Sequence, residues 1–361
     1  TIISFPESSS QNSVPCFDNR LQRLTHHLIA SCVSMASLHT ESQRQEFDRI
    51  RAETASLLLE HDFTTIRLTL EDGDGIKYDS ILSGKINDII RGNFVFRLGG
   101  NNETYEMTHL NEAWNNHCAG FATFQMNGPG VGRSQGSPSY ATMVNAAKIG
   151  LQFLEALALH HSERRENLKG RIVLKAFSLG NGILSEVWKW HIPSTDKIDY
   201  LVFSENTFSR LSEVPAGFFS QHIRISTARH ISEYLCSLGN WLFTWAKFDF
   251  DAVNGARLLS HMQIPQAILQ ACYFDGKAFA SVDDGVVSKD AALLNAVIKS
   301  NDMRKKLFSP NLYFDGQTRK ATEFTHCTEN LRWFQFLLSK FDEIIFWSKQ
   351  PSTGELKQCL I

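Results

Sequence analysis

An excess of charge of either sign is missing from this chain of 361 residues, in which 36 Lys and Arg stand against 38 Asp and Glu for a formal net charge of -2. Binding along phosphate backbones needs a basic excess, so nucleic acid is excluded as a partner. Also missing is any run of about 18 uninterrupted apolar residues, the length a membrane-spanning helix requires. The start lacks the basic and apolar regions of a secretory signal, and Cys359 stands third from the end where a prenylated cysteine stands fourth; neither ordinary export nor a lipid anchor is expected. The seven cysteines (Cys16, Cys32, Cys118, Cys236, Cys272, Cys327, Cys359) include no CxxC pair, which excludes a disulfide framework and a zinc ribbon and fits a reducing, cytosol-type compartment. His26-His27 and His160-His161 are adjacent pairs, not the i, i+4 pair of a zinc helix, so no metal is expected. The glycines after Asn127 follow neither the dinucleotide fingerprint nor the P-loop pattern, and no cofactor is expected. Asp72-Gly73-Asp74-Gly75 lacks the spacing and closing Glu of a calcium loop and reads as a turn.

What is present is a globular composition, 43% apolar and 20% charged, with 26 Phe, seven Trp and seven Tyr. Residues 1 to about 15 are polar and without periodicity and read as a flexible lead. Leu21, Leu24, Leu28 and Ile29, then Phe47, Ile50, Leu57 and Leu58 behind the capping box Thr40-Glu41-Ser42-Gln43, predict two helices, so residues 1–63 form a lead and helical extension. From Thr64 the period becomes two, and the turn at Asp72 to Gly75 predicts a hairpin. Strand-length apolar runs at Asn93 to Leu98, Gly120 to Gln125, Arg171 to Phe177, Ile198 to Ser204, Ala267 to Tyr273 and Leu307 to Phe314 then alternate with helices from about Ser139 to Leu159, from Gly182 and from Asn330 to Ile345. This order predicts an α/β domain over 64–350, a mostly parallel sheet with helices on both faces, followed by a tail at 351–361. About 208–262 read as an inserted cap rich in rings (Phe218, Phe219, Trp241, Phe243, Trp245, Phe248, Phe250), which either pack the insert onto the body or form a lid over an apolar channel.

The run Arg171 to Phe177 meets Ser178, followed by a helix, with Ala176 two before and Gly180 two after. A serine on so tight a strand-to-helix turn stands exposed above the sheet, and small neighbours let strand and helix approach. The pattern is A-x-S-x-G instead of G-x-S-x-G, and a plain turn serine is its alternative. Upstream, Gly99-Gly100-Asn101-Asn102-Glu103-Thr104-Tyr105-Glu106 reads as a loop able to aim backbone N–H groups, with Asn101 and Leu179 as oxyanion donors.

Taken in order, the Gly-Gly-Asn-Asn loop, Asn127-Gly128-Pro129-Gly130-Val131-Gly132-Arg133-Ser134-Gln135-Gly136 and Ala176-Phe177-Ser178-Leu179-Gly180 resemble the α/β-hydrolase superfamily over residues 64 to 350. That resemblance implies a nucleophile, an acid and a histidine in this order: Ser178, then Asp284 in Val282-Asp283-Asp284-Gly285-Val286-Val287, then His326 before the closing helix. Asp283 and Asp275 are the alternative acids. It implies a serine hydrolase, lipase- or esterase-like, acting on an ester or thioester of an apolar acyl chain, with no protein partner that the sequence can name; the other reading is a hydrolase-fold binding or scaffold protein without catalysis. The helical lead and short motifs further resemble the Sid and Sdb lipase-like effectors of Legionella, which implies injection into a host cell but does not reveal the substrate; an acyl ester or a lipid at a membrane surface both stay open.

Overall fold

In a computed structural model of the chain, residues 2–4, 20–34, 40–101, 103–163, 169–214, 237–238, 240–269, 272–274, 279–281, 287, 291–293, 296–297 and 331–349 are described. Alternating apolar residues build a sheet of eight strands in the order β1-β2-β3-β5-β4-β6-β7-β8, namely β1 (Ile2–Ser4), β2 (Thr64–Glu71), β3 (Lys77–Gly84), β4 (Asn93–Leu98), β5 (Ala122–Met126), β6 (Gly170–Phe177), β7 (Ile198–Glu205) and β8 (Gln266–Leu269). Strand β3 runs against its neighbours β2 and β5, whereas β1 with β2, β4 with β5, and β7 with β8 are parallel. The predicted hairpin is β2 and β3. The Asp72 carboxylate closes its turn by accepting from the Asp74 and Ile76 N–H groups and the Tyr78 hydroxyl, and Gly75 takes the left-handed backbone (φ 77°) that such a turn needs.

Helices α1 (Arg20–Ser34), α2 (Glu41–Glu60), α3 (Ile86–Arg91), α4 (Tyr105–His117), α5 (Tyr140–Glu163), α6 (Leu179–Val187), α7 (Ala252–His261), α8 (Leu331–Ser339) and α9 (Phe341–Ser348) surround the sheet. The described residues fall into two compact units. One lies within Thr1–Lys175, Trp190–Leu201 and Leu331–Phe341, the other within Ala176–Lys189, Val202–Asn330 and Asp342–Ile361.

In the first unit, Phe96, Phe124 and Phe153 pack their rings against one another at a tilt in the core, and Phe121 meets Phe341 edge on. Helix α2 begins with the predicted capping box, the Thr40 side chain accepting from the Gln43 N–H while the Gln43 side chain accepts from the Thr40 N–H. It is held by charge. Buried Arg51 donates to Asp48, Asp79 and Glu106, and Arg133 donates to Asp48 and Glu41.

Three expectations change. The lead does not stay irregular throughout, because Ile2–Ser4 pairs with Thr69–Glu71 as a strand. The residues from Gly99 to Glu106 are not one loop, because α4 starts at Tyr105. In α1 the predicted helix forms, with Leu21, Leu24 and Leu28 facing solvent and Gln22, His26, Ile29 and Ala30 buried. The strand expected over Ala267 to Tyr273 ends at Leu269, and Cys272–Phe274 pairs instead with Phe279–Ser281 as a separate ribbon. The strand expected at Leu307 to Phe314 lies outside the described residues.

In the second unit α7 crosses α6 at a glycine. A Cβ on Gly255 would stand 2.3 Å from the Ser185 Cβ and 2.7 Å from its Cα, so any side chain there forces the helices apart. Gly255→Ala is therefore expected to destabilise the protein by about 1–3 kcal/mol in urea denaturation. Adding Ser185→Gly should restore part of that loss, and no change in the unfolding midpoint on Gly255→Ala would refute the tight crossing.

Candidate active site

Ser178 sits between the last residue of β6 and the first of α6, with φ 48° and ψ -114°. These angles match the first central position of a II′ turn, which glycine adopts freely and an L side chain only under strain. Strain of this kind persists where the surroundings hold it. Here the Ser178 N–H donates to the Glu205 carbonyl at 3.0 Å, and the Ser178 carbonyl accepts from the Asn181 N–H at 3.1 Å and from the Thr207 hydroxyl at 3.1 Å. The end of β7 and the first turn of α6 thus fix the serine's backbone on both sides.

The supports are themselves fixed. Ser204 donates its hydroxyl to the Asn181 side chain at 2.7 Å, the Asn206 N–H donates to the Leu269 carbonyl, and the Thr207 carbonyl accepts from the Leu293 N–H. Ala176 is fully buried, as a close strand-to-helix approach requires. Gly182 is a second small residue the turn depends on, since a Cβ there would stand 2.8 Å from the Phe208 ring and 2.9 Å from the Phe250 Cβ. Sequence reading did not single out Gly182, Glu205 or Thr207. The visible signal was the polar run Ser204-Glu205-Asn206-Thr207 closing an apolar strand, all four residues buried.

Leu179 is the first residue of α6, where a helix N–H has no acceptor within the helix. That position suits an oxyanion donor. Asn101 lies in the turn after β4 and is exposed. Next to it the Gly100 N–H donates to the Glu103 carboxylate at 2.8 Å, and Glu103 also pairs with Arg97, so one N–H of the Gly-Gly loop is already engaged. Asp275, Asp283, Asp284 and His326 lie outside the described residues.

Within the insert the rings divide. Phe248 and Phe250 are fully buried and meet edge to face, which is packing, whereas Trp241 is 56% exposed and stacks on Trp245 at 5.5 Å. Asp249, between the two phenylalanines in sequence, is held above the usual carboxylate range by burial, against hydrogen bonds from the Ser212 N–H and hydroxyl that pull it down. Among the described residues no three His, Cys, Asp or Glu side chains cluster as metal ligands.

The backbone strain has a measurable consequence. Ser178→Gly relieves about 1–3 kcal/mol of it and adds about 0.5–1 kcal/mol of unfolded-state entropy, so a net stabilisation of about 1 kcal/mol is expected. Ser178→Ala keeps the Cβ and should show no such gain. Equal urea midpoints for the glycine and alanine variants would show that the turn stores no strain.

From β4 the chain steps outward in the sheet to β5, then returns past β4 to β6, so the direction of winding reverses between them. In open α/β sheets ligands bind outside the carboxyl ends of strands at such a reversal, and Ser178 stands at the carboxyl end of β6. No family model matches the sequence, and no curated protein matches it. Among solved structures the chain is similar to the esterase Pf2001 of Pyrococcus furiosus, at 10% identity and a TM-score of 0.49 over 81% of this chain and 93% of that one. It is also similar to an alpha-beta hydrolase from Vibrio vulnificus (13%, TM-score 0.40, 64% and 76%) and to carboxyl esterase 2 of the fungus Tuber melanosporum (12%, TM-score 0.37, 57% and 66%). None of these three comes from Legionella, and the resemblance to its effectors finds no support among them. The mostly parallel sheet with helices around it is the α/β architecture that the order of elements in the sequence predicts.

Proposed function

We propose that the protein is a serine hydrolase that cleaves an ester or thioester of an apolar acyl chain through an acyl-Ser178 intermediate. The observation that carries this reading is the strained backbone of Ser178 at the carboxyl end of β6, held by Glu205, Asn181 and Thr207. A structural turn serine gains nothing from such strain, whereas a nucleophile needs it to stand clear of strand and helix.

In the proposed reaction the Ser178 hydroxyl oxygen attacks the acyl carbonyl while His326 takes its proton, and the Leu179 and Asn101 N–H groups stabilise the resulting oxyanion. His326 then protonates the departing alcohol or thiol. Water, deprotonated by the same histidine, attacks the acyl-serine and releases the acid and the free serine hydroxyl. Asp284, or in its place Asp283 or Asp275, orients the imidazole and stabilises its charged form.

A fluorophosphonate probe is expected to label the wild type and not Ser178→Ala, and hydrolysis of p-nitrophenyl butyrate should fall by about a thousandfold or more in Ser178→Ala and His326→Ala. Labelling that survives Ser178→Ala would move the nucleophile elsewhere. A wild type that neither labels nor turns over ester would leave a binding or scaffold protein on this fold.

The apolar acyl chain rests on the exposed Trp241 stacked on Trp245. If these rings cover the acyl chain, each added CH₂ contributes about 0.8 kcal/mol and raises kcat/KM by up to about fourfold. A series from acetyl to decanoyl esters should climb in the wild type and flatten in Trp241→Ala. Highest activity on acetate, unchanged by the substitution, would limit the enzyme to small esters.

A further inference from the structure

Helix α1 buries a mixed face, Gln22, His26, Ile29 and Ala30, against the body of its own unit, with His26 Nε2 accepting the N–H of Tyr140, the first residue of α5, at 3.2 Å. Its leucines face out. Leu21, Leu24 and Leu28 are 63%, 67% and 63% exposed and, at spacings of three and four, form one line along the helix. Exposed Arg20 and Arg23 each precede a leucine of that line and so flank it on one side, and no Asp or Glu occurs from Arg20 to Ser34.

We propose that α1 docks the protein on an anionic lipid bilayer, lying in the plane of the surface. An apolar line flanked by cations meets both parts of such a surface at once, with leucines entering the boundary between headgroups and acyl chains and arginines reaching lipid phosphates. The charge pattern also disfavours a second copy of the helix as the occupant. Two such faces laid together would bring four arginines close with no acid on either helix to neutralise them. Among the described residues no helix is long and apolar enough to cross a membrane, so α1 would rest on the bilayer and not span it. The inference does not depend on the proposed hydrolysis.

The test is cosedimentation of the full chain with phosphatidylcholine vesicles, with and without about 30% phosphatidylserine. Wild type is expected to bind the anionic vesicles about tenfold tighter than the neutral ones, and less tightly as salt is raised. Leu21→Ser, Leu24→Ser and Leu28→Ser combined should lower anionic-vesicle binding by about tenfold, as should Arg20→Glu with Arg23→Glu. Leu57→Ser with Leu59→Ser, both exposed on α2, should leave it unchanged. The idea is overturned if wild type does not bind anionic vesicles, or if both the leucine and the arginine variants bind as well as wild type. Concentration-dependent self-association without vesicle binding, lost in the leucine variant, would assign the surface to a second copy and likewise refute it.

Discussion

Replacing Glu112 by alanine is expected to destabilise the protein by about 3–5 kcal/mol, a large share of the roughly 5–15 kcal/mol that typically separates folded from unfolded protein. Glu112 on α4 is buried between two cations, with Lys175 Nζ at 2.5 Å and Arg97 Nε at 2.9 Å, both also buried. Burial works to raise its carboxyl, but Lys175 and Arg97 outweigh that and hold it below the usual carboxylate range. Removing the carboxylate leaves Lys175 with the Phe334 ring, 4.7 Å from its ammonium, as an uncharged neighbour. Arg97 still has Glu103. The unpaired lysine therefore dominates the loss, and Glu112→Gln combined with Lys175→Met, which removes both charges, should be markedly more stable than Glu112→Ala. Urea unfolding of the three proteins decides it. If the double substitution is as unstable as Glu112→Ala, the cost lies in lost packing and not in the stranded charge.

The same buried polar groups explain which elements were legible in the sequence. Strands β2 to β7 were readable because their apolar runs are long and their turns carry strong signals, such as Asp72 to Gly75. Helix α4 was not. Its inward face is Glu106, His109, Glu112, Ala113 and Asn116, so the helical period is written in polar residues, and a search for apolar periodicity passes over it. Helix α1 was legible from the spacing of Leu21, Leu24 and Leu28, which mark its outer face. Charged residues can face inward in the first unit because each finds a partner there, a fact about three-dimensional pairing that spacing along the chain does not encode. Arg51, for example, meets Asp79 and Glu106 from segments 28 and 55 residues away.

At the candidate site the strained serine was legible and its supports were not. Ala-Phe-Ser-Leu-Gly after a β-branched run marks Ser178 by local chemistry alone. The hydroxyl of Thr207 and the carbonyl of Glu205 reach it from β7 and the residue run beyond it, and nothing in their own neighbourhood announces Ser178 as their target. Those contacts turn a turn serine into a strained one, which ties the packing of the second unit to the chemistry proposed for it.

Acidification supplies the other large expected effect. His109 on α4 is buried, with Nδ1 2.8 Å from Gln125 Oε1 and Nε2 2.7 Å from the Ser83 hydroxyl. Gln125 donates its amide nitrogen to Thr108, so its oxygen faces the ring and Nδ1 carries the proton, while the Ser83 hydroxyl beside Nε2 donates its own proton to Thr65. A second proton would face the serine oxygen inside the core. Burial pushes the imidazole down to about 4, against the weaker opposing pull of Gln125 and Glu112. The unfolded chain takes up a proton near pH 6.5 that the folded chain refuses until about pH 4. Between those values the unfolded state holds more protons, so stability is fully present above pH 6.5 and falls as pH falls, by about 2 kcal/mol from pH 7.5 to 5 and about 3 kcal/mol by pH 4. His109→Gln should be less stable at pH 7.5 but lack this slope. Measuring unfolding free energies of both proteins at pH 7.5 and 5 gives the difference directly, and parallel losses in the two would show that His109 is not the group the acid acts on.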